Sequence, residues 1–313
     1  MAKLKGLKRG KALSRFGVAA IAAALVTAGA GTASADGVSA AHSLPKAPSR
    51  ASQAPHAKSL AATAAAANAS NPVFPLLGVD NAGGAWAYGP NGTGGLGSRV
   101  YAGSMPYLVN DAFVDNNGDG NLDGEWQWAN DGTLIYFADE NAPAKVIGGG
   151  WGIYNKELSP GNLGGAQGYD IIARDSAGVL WLYLGYGDGT VTSRIKVGAG
   201  WDAYTQIAGK GDLDGDGKAD IVARDTAGVL WFYKGTGNAT APFASRTKIG
   251  AGWNMFNTLV STGDVDLDGK TDLIARDTNG VLWLYKGTGN AASPFQPRVQ
   301  IGTSYNIYRL MTS

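Results

Sequence analysis

Short runs of hydrophobic residues recur along most of the chain, each after a turn that contains glycine. The clearest run is Val229–Tyr233, Val-Leu-Trp-Phe-Tyr, which follows Asp-Thr-Ala-Gly at residues 225–228. Its hydrophobic residues are consecutive rather than alternating, which predicts a short strand that is buried on both faces. With this run, the related runs end at Tyr88, Phe137, Tyr183, Tyr233 and Tyr285.

A second recurring phrase combines glycine with aromatic residues. Its best copy, Lys248–Phe256, reads Lys-Ile-Gly-Ala-Gly-Trp-Asn-Met-Phe, and close relatives are Lys196–Tyr204 and Lys145–Tyr154. Weaker copies run from Arg99 to Tyr107 and from Gln300 to Tyr308. Each phrase therefore occurs five times at a spacing of 46 to 52 residues, which indicates an internal repeat.

The pattern within one period predicts four strands. In the best-defined period they are Trp201–Ile207, Asp220–Arg224, Val229–Tyr233 and Ser245–Ile249. Four-stranded units of about 45–50 residues that stack face to face are typical of β-propeller blades. A linear solenoid built from the same units is the alternative.

The two ends of the repeat region distinguish a ring from a solenoid. The region starts in the middle of a unit at Phe74–Val79, and it stops at Tyr305–Met311, which matches the strand that this first unit lacks. Pairing of these two segments would complete one blade and leave no exposed sheet edge at the ends. The sequence therefore predicts an all-β, five-bladed β-propeller that is closed by its N- and C-terminal strands.

Acidic residues mark the turn before the second strand of a period. Asp212, Asp214, Asp216 and Asp220 occupy positions 1, 3, 5 and 9 of a nine-residue loop, with Gly217 at position 6. Carboxylate oxygens suit the hard cation Ca²⁺, and glycine permits the sharp turn of an EF-hand-type loop.

The loop departs from a complete EF-hand in its last part. Position 12 is Ala223, where an EF-hand has a bidentate glutamate. Asp220 is therefore predicted to close the site, and Lys218 at position 7 to contribute its backbone carbonyl. A β-branched apolar run replaces the second helix of an EF-hand, so the loop is predicted to join two strands.

Two further loops keep this pattern, and each loop is named here by its first residue. The predicted ligands are Asp264, Asp266, Asp268, Lys270 and Asp272 in the 264 loop, and Asp115, Asn117, Asp119, Asn121 and Asp123 in the 115 loop. A fourth copy, the 162 loop (residues 162–170), has Gly164, Ala166 and Gln167 in place of two ligands and the turn glycine. The sequence thus predicts about three Ca²⁺ ions, at the 115, 212 and 264 loops, and none at the 162 loop.

Residues 212–225, Asp-Leu-Asp-Gly-Asp-Gly-Lys-Ala-Asp-Ile-Val-Ala-Arg-Asp, resemble the FG-GAP (VCBS-type) repeat of integrin α-chain propellers and of many secreted bacterial proteins. The resemblance covers about residues 73–313 and is most specific at the three intact loops. It implies a calcium-stabilised β-propeller whose metal loops join adjacent strands on one rim. It implies no particular activity, because a shared fold does not determine function.

The first 35 residues have the three parts of a secretory signal peptide. Six basic residues precede an apolar run from Phe16 to about Ala30, and Ala-Ser-Ala follows at residues 33–35. The Ala-Ser-Ala site predicts cleavage after Ala35. The apolar run is too short for a transmembrane anchor, which would need about 18 or more apolar residues. Residues 36–72, rich in Ala, Ser and Pro, are predicted to be a linker or pro-segment, which leaves residues 73–313 as the folded domain.

The charge of the folded domain differs from that of the whole chain. The 313 residues carry a formal net charge of +1, yet residues 73–313 contain 17 Lys and Arg against 24 Asp and Glu, a net of −7. Eleven of these acids lie in the three intact loops, so bound Ca²⁺ would relieve their mutual repulsion. The domain has no basic stripe, which argues against a nucleic-acid partner, and the chain has no cysteine, so the domain forms without disulfides.

Residue types that catalyse by nucleophilic attack are scarce in the folded domain. It contains no cysteine and no histidine, which excludes Cys–His and Ser–His–Asp nucleophiles. A pair of carboxylates of the glycosidase kind remains an alternative. The acids outside the repeat pattern are Asp111, Glu125, Asp139, Asp188 and Asp202. We assign no catalytic residue.

The nine tryptophans point to recognition of a ligand, since a flat indole can stack on a sugar ring. Those in the apolar third strand are predicted to be blade core: Trp181, Trp231 and Trp283. The candidates for ligand binding are Trp126 and Trp128, which fall outside the repeat pattern, and Trp151, Trp201 and Trp253, for which core and ligand roles are equally open.

These features predict a secreted, monomeric, calcium-binding propeller without a membrane span. Its expected function is recognition or adhesion, with a carbohydrate or an extracellular or cell-surface protein as partner. A secreted carboxylate-dependent hydrolase and a purely structural scaffold are the alternatives.

Overall fold

The computed structural model describes residues 71–138, 143–165 and 168–313. In these ranges the strands form five antiparallel sheets of four strands each. The expected signal peptide, residues 1–35, and residues 36–70 of the expected linker lie outside the described residues. In the part of the chain that is described, no helix is long and apolar enough to cross a membrane.

Each sheet is one blade, and the blades follow one another along the chain. Blade 1 contains β1 (Leu76–Asp80), β2 (Gly84–Tyr88), β3 (Val100–Ser104) and β20 (Tyr308–Thr312). Blade 2 contains β4 (Leu108–Val114), β5 (Gly124–Ala129), β6 (Leu134–Phe137) and β7 (Lys145–Gly148). Blade 3 contains β8 (Tyr154–Gly161), β9 (Asp170–Asp175), β10 (Leu180–Tyr183) and β11 (Ile195–Gly198). Blade 4 contains β12 (Tyr204–Ala208), β13 (Ile221–Asp225), β14 (Leu230–Tyr233) and β15 (Thr247–Gly250). Blade 5 contains β16 (Phe256–Gly263), β17 (Asp272–Asp277), β18 (Leu282–Tyr285) and β19 (Val299–Gly302).

The blades close into a ring. The strands β20, β4, β8, β12 and β16 contact one another in a continuous circuit around the centre. β1 pairs with β20, so that Leu77 lies opposite Thr312 and Gly78 opposite Met311. The last strand of the chain therefore completes the blade that the first strand begins. The predicted five-bladed, all-β propeller with terminal closure is confirmed, and a linear solenoid is excluded.

The Gly-Trp phrase forms a 3₁₀ turn where the sequence predicts the start of a strand. Trp201–Ala203 make one such turn, and the strand begins at Tyr204. Gly200 precedes the turn with a φ of 86°, which glycine adopts without strain. The N–H of Trp201 donates to the carbonyl of Gly178 in blade 3 at 2.9 Å, so the phrase docks each blade on the one before it. The other turns of this kind are Trp151–Ile153, Trp253–Met255 and Tyr305–Ile307.

Aromatic residues from the two phrases pack together in the core between neighbouring blades. The ring centroid of Trp201 lies 4.8 Å from that of Tyr233 and 5.4 Å from that of Tyr204. The hydroxyl groups of the two tyrosines share a hydrogen bond. The equivalent tryptophans of blades 3 and 5, Trp151 and Trp253, pack in the same way. The recurrence of both phrases is therefore explained by one repeated packing unit.

The tryptophans of the third strands are only partly buried. The ring of Trp231 is only partly buried, and the guanidinium carbon of Arg246 lies 4.0 Å from its centroid. Its indole N–H donates to Asp225 Oδ2 at 2.8 Å. Trp181 and Trp283 have matching partners, Arg194 with Asp175 and Arg298 with Asp277. The expectation that these tryptophans are blade core holds in part. Each indole packs against a core cluster on one side, while an arginine covers its outer side and a carboxylate accepts its N–H group.

A repeated arginine joins consecutive blades. Nη1 of Arg224 in blade 4 donates to the carbonyls of Trp253, at 3.0 Å, and Phe256 in blade 5. Arg174 and Arg276 do the same toward the following blades. In blade 2 the place of this arginine in the strand register is taken by Trp128, whose ring lies 6.1 Å from that of Trp151 in blade 3. Trp128 is thus an aromatic substitute for the arginine contact.

Replacing Arg224 with methionine should destabilise the domain by about 2–3 kcal/mol, because two buried carbonyls would lose their donor. The matched control is Arg246→Met in the same blade, which removes a stacked surface arginine worth about 0.5–1 kcal/mol. Urea unfolding of both variants measures the difference. Equal losses would show that the contact between blades contributes no more than a surface cation does.

Candidate calcium loops

The 212 loop is organised by its first carboxylate. Oδ1 of Asp212 accepts the backbone N–H groups of Asp214 at 3.0 Å and Gly215 at 2.7 Å. Its Oδ2 accepts the N–H of Gly217 at 2.7 Å. Gly217 has a φ of 84°, so the glycine expected at position 6 supplies the left-handed conformation of the turn.

Three carboxylates converge in each of two loops. One group is Asp212, Asp214 and Asp216, and the other is Asp264, Asp266 and Asp268. Within each group, one carboxylate oxygen from each residue lies within 4.8 Å of the other two. Ca²⁺ takes six to eight oxygen ligands at about 2.3–2.6 Å, so three such donors form part of a fitting shell. Oδ1 of Asp266 is buried and has no hydrogen-bond partner among the described residues. Such an atom normally has one, so the donor set fits a cation.

The ninth-position aspartate connects two turns. Oδ2 of Asp220 accepts the N–H of Leu213 at 3.0 Å, and its Oδ1 accepts the N–H of Gly235 at 2.7 Å. Asp272 makes the equivalent pair of contacts in the 264 loop. Burial raises the pKa of each of these aspartates to about 7. The residue predicted to close the metal site therefore also holds the loop against the end of the third strand.

The 162 loop keeps this contact although its ligand positions have changed. Asp170 accepts the N–H groups of Leu163 and Gly164 through Oδ2 and that of Gly185 through Oδ1. Burial raises its pKa to about 6. Ala166 and Gln167 lie outside the described residues. The ninth position thus has a structural role in a loop whose other ligand positions differ.

The 115 loop has the same backbone organisation with fewer carboxylates. Asp115 accepts the N–H groups of Gly118 at 2.7 Å and Gly120 at 2.8 Å. Asp123 Oδ2 accepts the N–H of Asn117 at 3.0 Å. Oδ1 of Asp119 accepts the backbone N–H of Asn121. Positions 1, 3, 5 and 9 carry side-chain oxygens, with an amide at position 3, and calcium at this loop stays a prediction.

Lysines that sequence reasoning missed lie against two of the loops. Lys234 Nζ is 2.5 Å from Asp214 Oδ2 and 3.0 Å from Asp216 Oδ2. Lys286 Nζ is 2.7 Å from Asp266 Oδ2. The predicted position-7 lysines, Lys218 and Lys270, also direct their ammonium groups to acids of their own loops. The only signal in the sequence is that a lysine follows the third strand in the two repeats with these loops.

Asn71 fills the place of a loop in the first repeat, which has none before Phe74. Its Oδ1 accepts the N–H of Asp212 at 2.9 Å and the hydroxyl of Thr271 at 2.7 Å. Its Nδ2 donates to the carbonyl of Gly269 at 2.8 Å. Asn71 therefore links the 212 and 264 loops to each other. The folded domain thus includes Asn71, which the sequence assigned to the linker.

Two depressions lie between neighbouring loops. The larger, about 560 Å³, is lined by Asn71 and Asp212 and by residues of the 212, 264 and following loops, among them Asp216, Asp268 and Thr288. The smaller, about 200 Å³, lies between the 115, 162 and 212 loops. Both linings consist mainly of glycine backbone and polar side chains.

The tryptophans proposed for ligand binding do not line these depressions. Trp126 and Trp128 are 0% and 2% exposed, and Trp151, Trp201 and Trp253 are each 7% exposed. The indole N–H of Trp126 donates to Gly189 O in blade 3. In contrast to the sequence-based expectation, these rings are packed in the core and present no open face on which a sugar could stack.

The described acids that were considered for hydrolysis lie in different environments. Asp111 is 1% exposed, and burial, with the charge of Glu125 next, raises its pKa well above the ordinary value. Asp188 is a surface residue that pairs with Lys145 at 2.7 Å. Asp202 is exposed at the start of its 3₁₀ turn, and Asp139 lies outside the described residues. Asp111 is thus shielded from solvent and Asp188 is held in an ion pair, which does not favour a hydrolytic role for either residue.

A family model for the FG-GAP-like repeat matches the chain twice, at residues 169–223 and 212–275. These matches run from β9 of blade 3 into β17 of blade 5 and include the 212 and 264 loops. No curated protein matches the chain.

Several solved structures match the chain at low sequence identity. The BP39L lectin from Burkholderia pseudomallei is 14% identical, with 72% of this chain and 69% of that chain covered and a TM-score of 0.46. The calcium-binding protein regucalcin from Agrobacterium tumefaciens is 13% identical, with 75% and 76% covered and a TM-score of 0.40. A mutant of AofleA from Arthrobotrys oligospora is 10% identical, with 74% and 72% covered and a TM-score of 0.43.

Proposed function

Because the chain carries FG-GAP-like repeats in a five-bladed β-propeller, we propose that it is a calcium-binding recognition module with a carbohydrate or an extracellular surface protein as partner. The observation that supports this best is the position of the two aspartate triads, which border one depression of about 560 Å³. Calcium at these loops would hold the rim of the depression in one conformation. About three ions are proposed, at the 115, 212 and 264 loops.

The chemistry of the depression favours a carbohydrate as ligand. Its lining offers the carboxylates of Asp216 and Asp268, the Lys270 ammonium group and the backbone groups of four glycines. Such a surface hydrogen-bonds to a polyhydroxylated molecule and offers little to an apolar peptide side chain. Specificity for a hydroxyl pattern would come from the unfavourable energy of leaving these polar groups unpaired.

Secretion is part of the proposal. Residues 1–35 carry the predicted signal peptide with cleavage after Ala35, and extracellular calcium modules work at about 10⁻⁴–10⁻³ M. Three acidic loops per domain and a chain without cysteine are compatible with that environment.

A glycan array in millimolar calcium tests the proposed ligand class, with two matched variants. Thr288 lines the depression, so Thr288→Arg should fill it. Thr236 is the equivalent residue of blade 4 and does not line the depression, so Thr236→Arg is the matched control. We expect reproducible binding to a glycan that Thr288→Arg abolishes and Thr236→Arg retains. If the protein binds no glycan but binds immobilised extracellular proteins in a parallel assay, its partner belongs to the protein class. Binding that Thr288→Arg leaves unchanged would place the ligand elsewhere.

A further inference from the structure

Lys234 and Lys286 reach the aspartate triads from a different part of the repeat. Each follows the third strand of its blade, and Lys234 Nζ bridges Asp214 and Asp216 at 2.5 and 3.0 Å. The side chain of Asp214 is only 2% exposed, whereas that of Lys234 is 40% exposed. The ammonium group therefore provides a counter-charge for a buried carboxylate while the lysine keeps a path to solvent.

The residue at this position changes with the state of the loop beside it. Lysine is present next to the 212 and 264 loops, Leu184 takes the position next to the 162 loop, and Ala138 takes it next to the 115 loop. Leu184 packs among the apolar residues between blades 3 and 4. A lysine is thus not required by the repeat itself, and it occurs only beside the two loops that gather three aspartates.

We propose that Lys234 and Lys286 compete with the metal ion, so that a divalent cation enters the 212 and 264 loops only when the lysine ammonium group leaves its aspartates. This inference rests on the proposed calcium binding and adds a property of the same sites. Oδ2 of Asp214 and of Asp266 accept hydrogen bonds from an ammonium group at 2.5–2.7 Å. A Ca²⁺ ion held by the same carboxylates at about 2.3–2.6 Å would lie close to this ammonium group, and two cations that share a carboxylate repel each other.

This competition distinguishes the 115 loop from the other two. The 115 loop has Ala138 at the lysine position and Asn121 at position 7, so no lysine competes with calcium there. The 212 and 264 loops must displace an ammonium group, which weakens their apparent affinity. The 115 loop has one carboxylate fewer, but the two lysines beside each of the other loops leave those loops with a net charge of −2 against −3 for the 115 loop. Calcium should therefore fill the 115 loop at a lower concentration than the other two.

The test is a calcium titration by equilibrium dialysis of the wild-type protein and of K234L/K286L, which introduces the residue that occurs naturally at position 184. K248L is the matched control, because Lys248 is an exposed residue of blade 4 for which the structure records no ion pair with the loops. In wild type we expect one site with a lower midpoint and two with a higher one. In K234L/K286L the two weaker midpoints should fall at least about tenfold, since a neighbouring positive charge is removed, and K248L should behave as wild type.

Thermal melting separates competition from a merely structural ion pair. K234L/K286L should melt below wild type in excess chelator, where Asp214 lacks a counter-charge, and at or above wild type in saturating calcium. A variant with unchanged midpoints while three ions still bind would overturn the competition and leave the calcium function intact. A variant that melts lower under both conditions would also overturn it. Absence of calcium binding in wild type and variant alike would remove the calcium function and this inference together.

Discussion

Chelation of calcium will lower the melting temperature of this protein by on the order of 10 °C. An ion that binds only the folded state stabilises it by RT ln(1 + [Ca²⁺]/Kd), which is about 1.4 kcal/mol per site at tenfold saturation. Three sites would then contribute about 4 kcal/mol, and each kcal/mol shifts the midpoint of a domain of this size by about 2–4 °C. The domain has no disulfide to replace this contribution.

The calcium effect should also depend on pH, with a defined sign. Burial raises the pKa of Asp220 and Asp272 to about 7 in the metal-free fold, above the ordinary value of 3.8. The folded state then binds more protons than the unfolded state, so metal-free stability falls as pH rises from about 4 to 7. Calcium binding requires ionised carboxylates and becomes stronger over the same range. The difference between the calcium and chelator melting curves should therefore widen from pH 5 to pH 8.

Scanning calorimetry in millimolar calcium and in excess chelator measures both effects.

Magnesium should substitute poorly for calcium, because it requires a smaller octahedral shell. Asp216→Ala should lower the number of bound ions by one, and Asp188→Ala, a surface acid outside the loops, should not. Melting curves that coincide with and without calcium would show that the loops are acidic turns and not metal sites.

Deletion of residues 303–313 will abolish cooperative melting or cause aggregation. This deletion removes β20, which pairs with β1 and contacts β16 and β4 at the centre of the ring. It also removes the carbonyl acceptors of Arg276 and the hydroxyl of Thr312, which donates to Asn110. The edge of β1 that pairs with β20 would be left unpaired, and such an edge promotes association between chains.

Size-exclusion chromatography and calorimetry report the outcome, with deletion of residues 36–70 as the control, because that segment is predicted to be a linker. The control should melt as wild type does. A shortened protein without residues 303–313 that remains monomeric and melts at the wild-type temperature would show that closure contributes little to stability.

A pair of glycine substitutions tests the same closure without a deletion. A methyl group added at Gly78 in β1 would lie 2.8 Å from the ring of Tyr308 in β20, whereas one added at Gly148 in β7 meets no atom within 4 Å. Gly78→Ala should therefore destabilise by about 1–3 kcal/mol through overpacking. Gly148→Ala should be neutral or slightly stabilising, because it reduces the entropy of the unfolded chain.

The sequence by itself determined the repeat, the number of blades, the closure by the terminal strands and the positions of the acidic loops. Each of these follows from local patterns, because a strand, a turn glycine and alternating loop oxygens are specified within about ten residues. Periodic recurrence then specifies the ring, since every blade must bury the same faces against its neighbours. The first unit lacks one strand and the last segment matches that strand, which was enough to predict that the two would pair.

The tertiary structure decided which side chains remain accessible and which charges meet. An apolar run does not show what covers each face of its strand, so Trp231 lies beneath Arg246 while Trp126 and Trp128 are buried. The role of Arg224 likewise depends on carbonyls about 30 residues away in the next blade. The contacts of Asn71 with two loops and of Lys234 with an aspartate triad arise only when distant segments pack together. Local chemistry therefore specifies where the loops are, whereas the electrostatic environment of each loop depends on residues that only the closed ring brings to it.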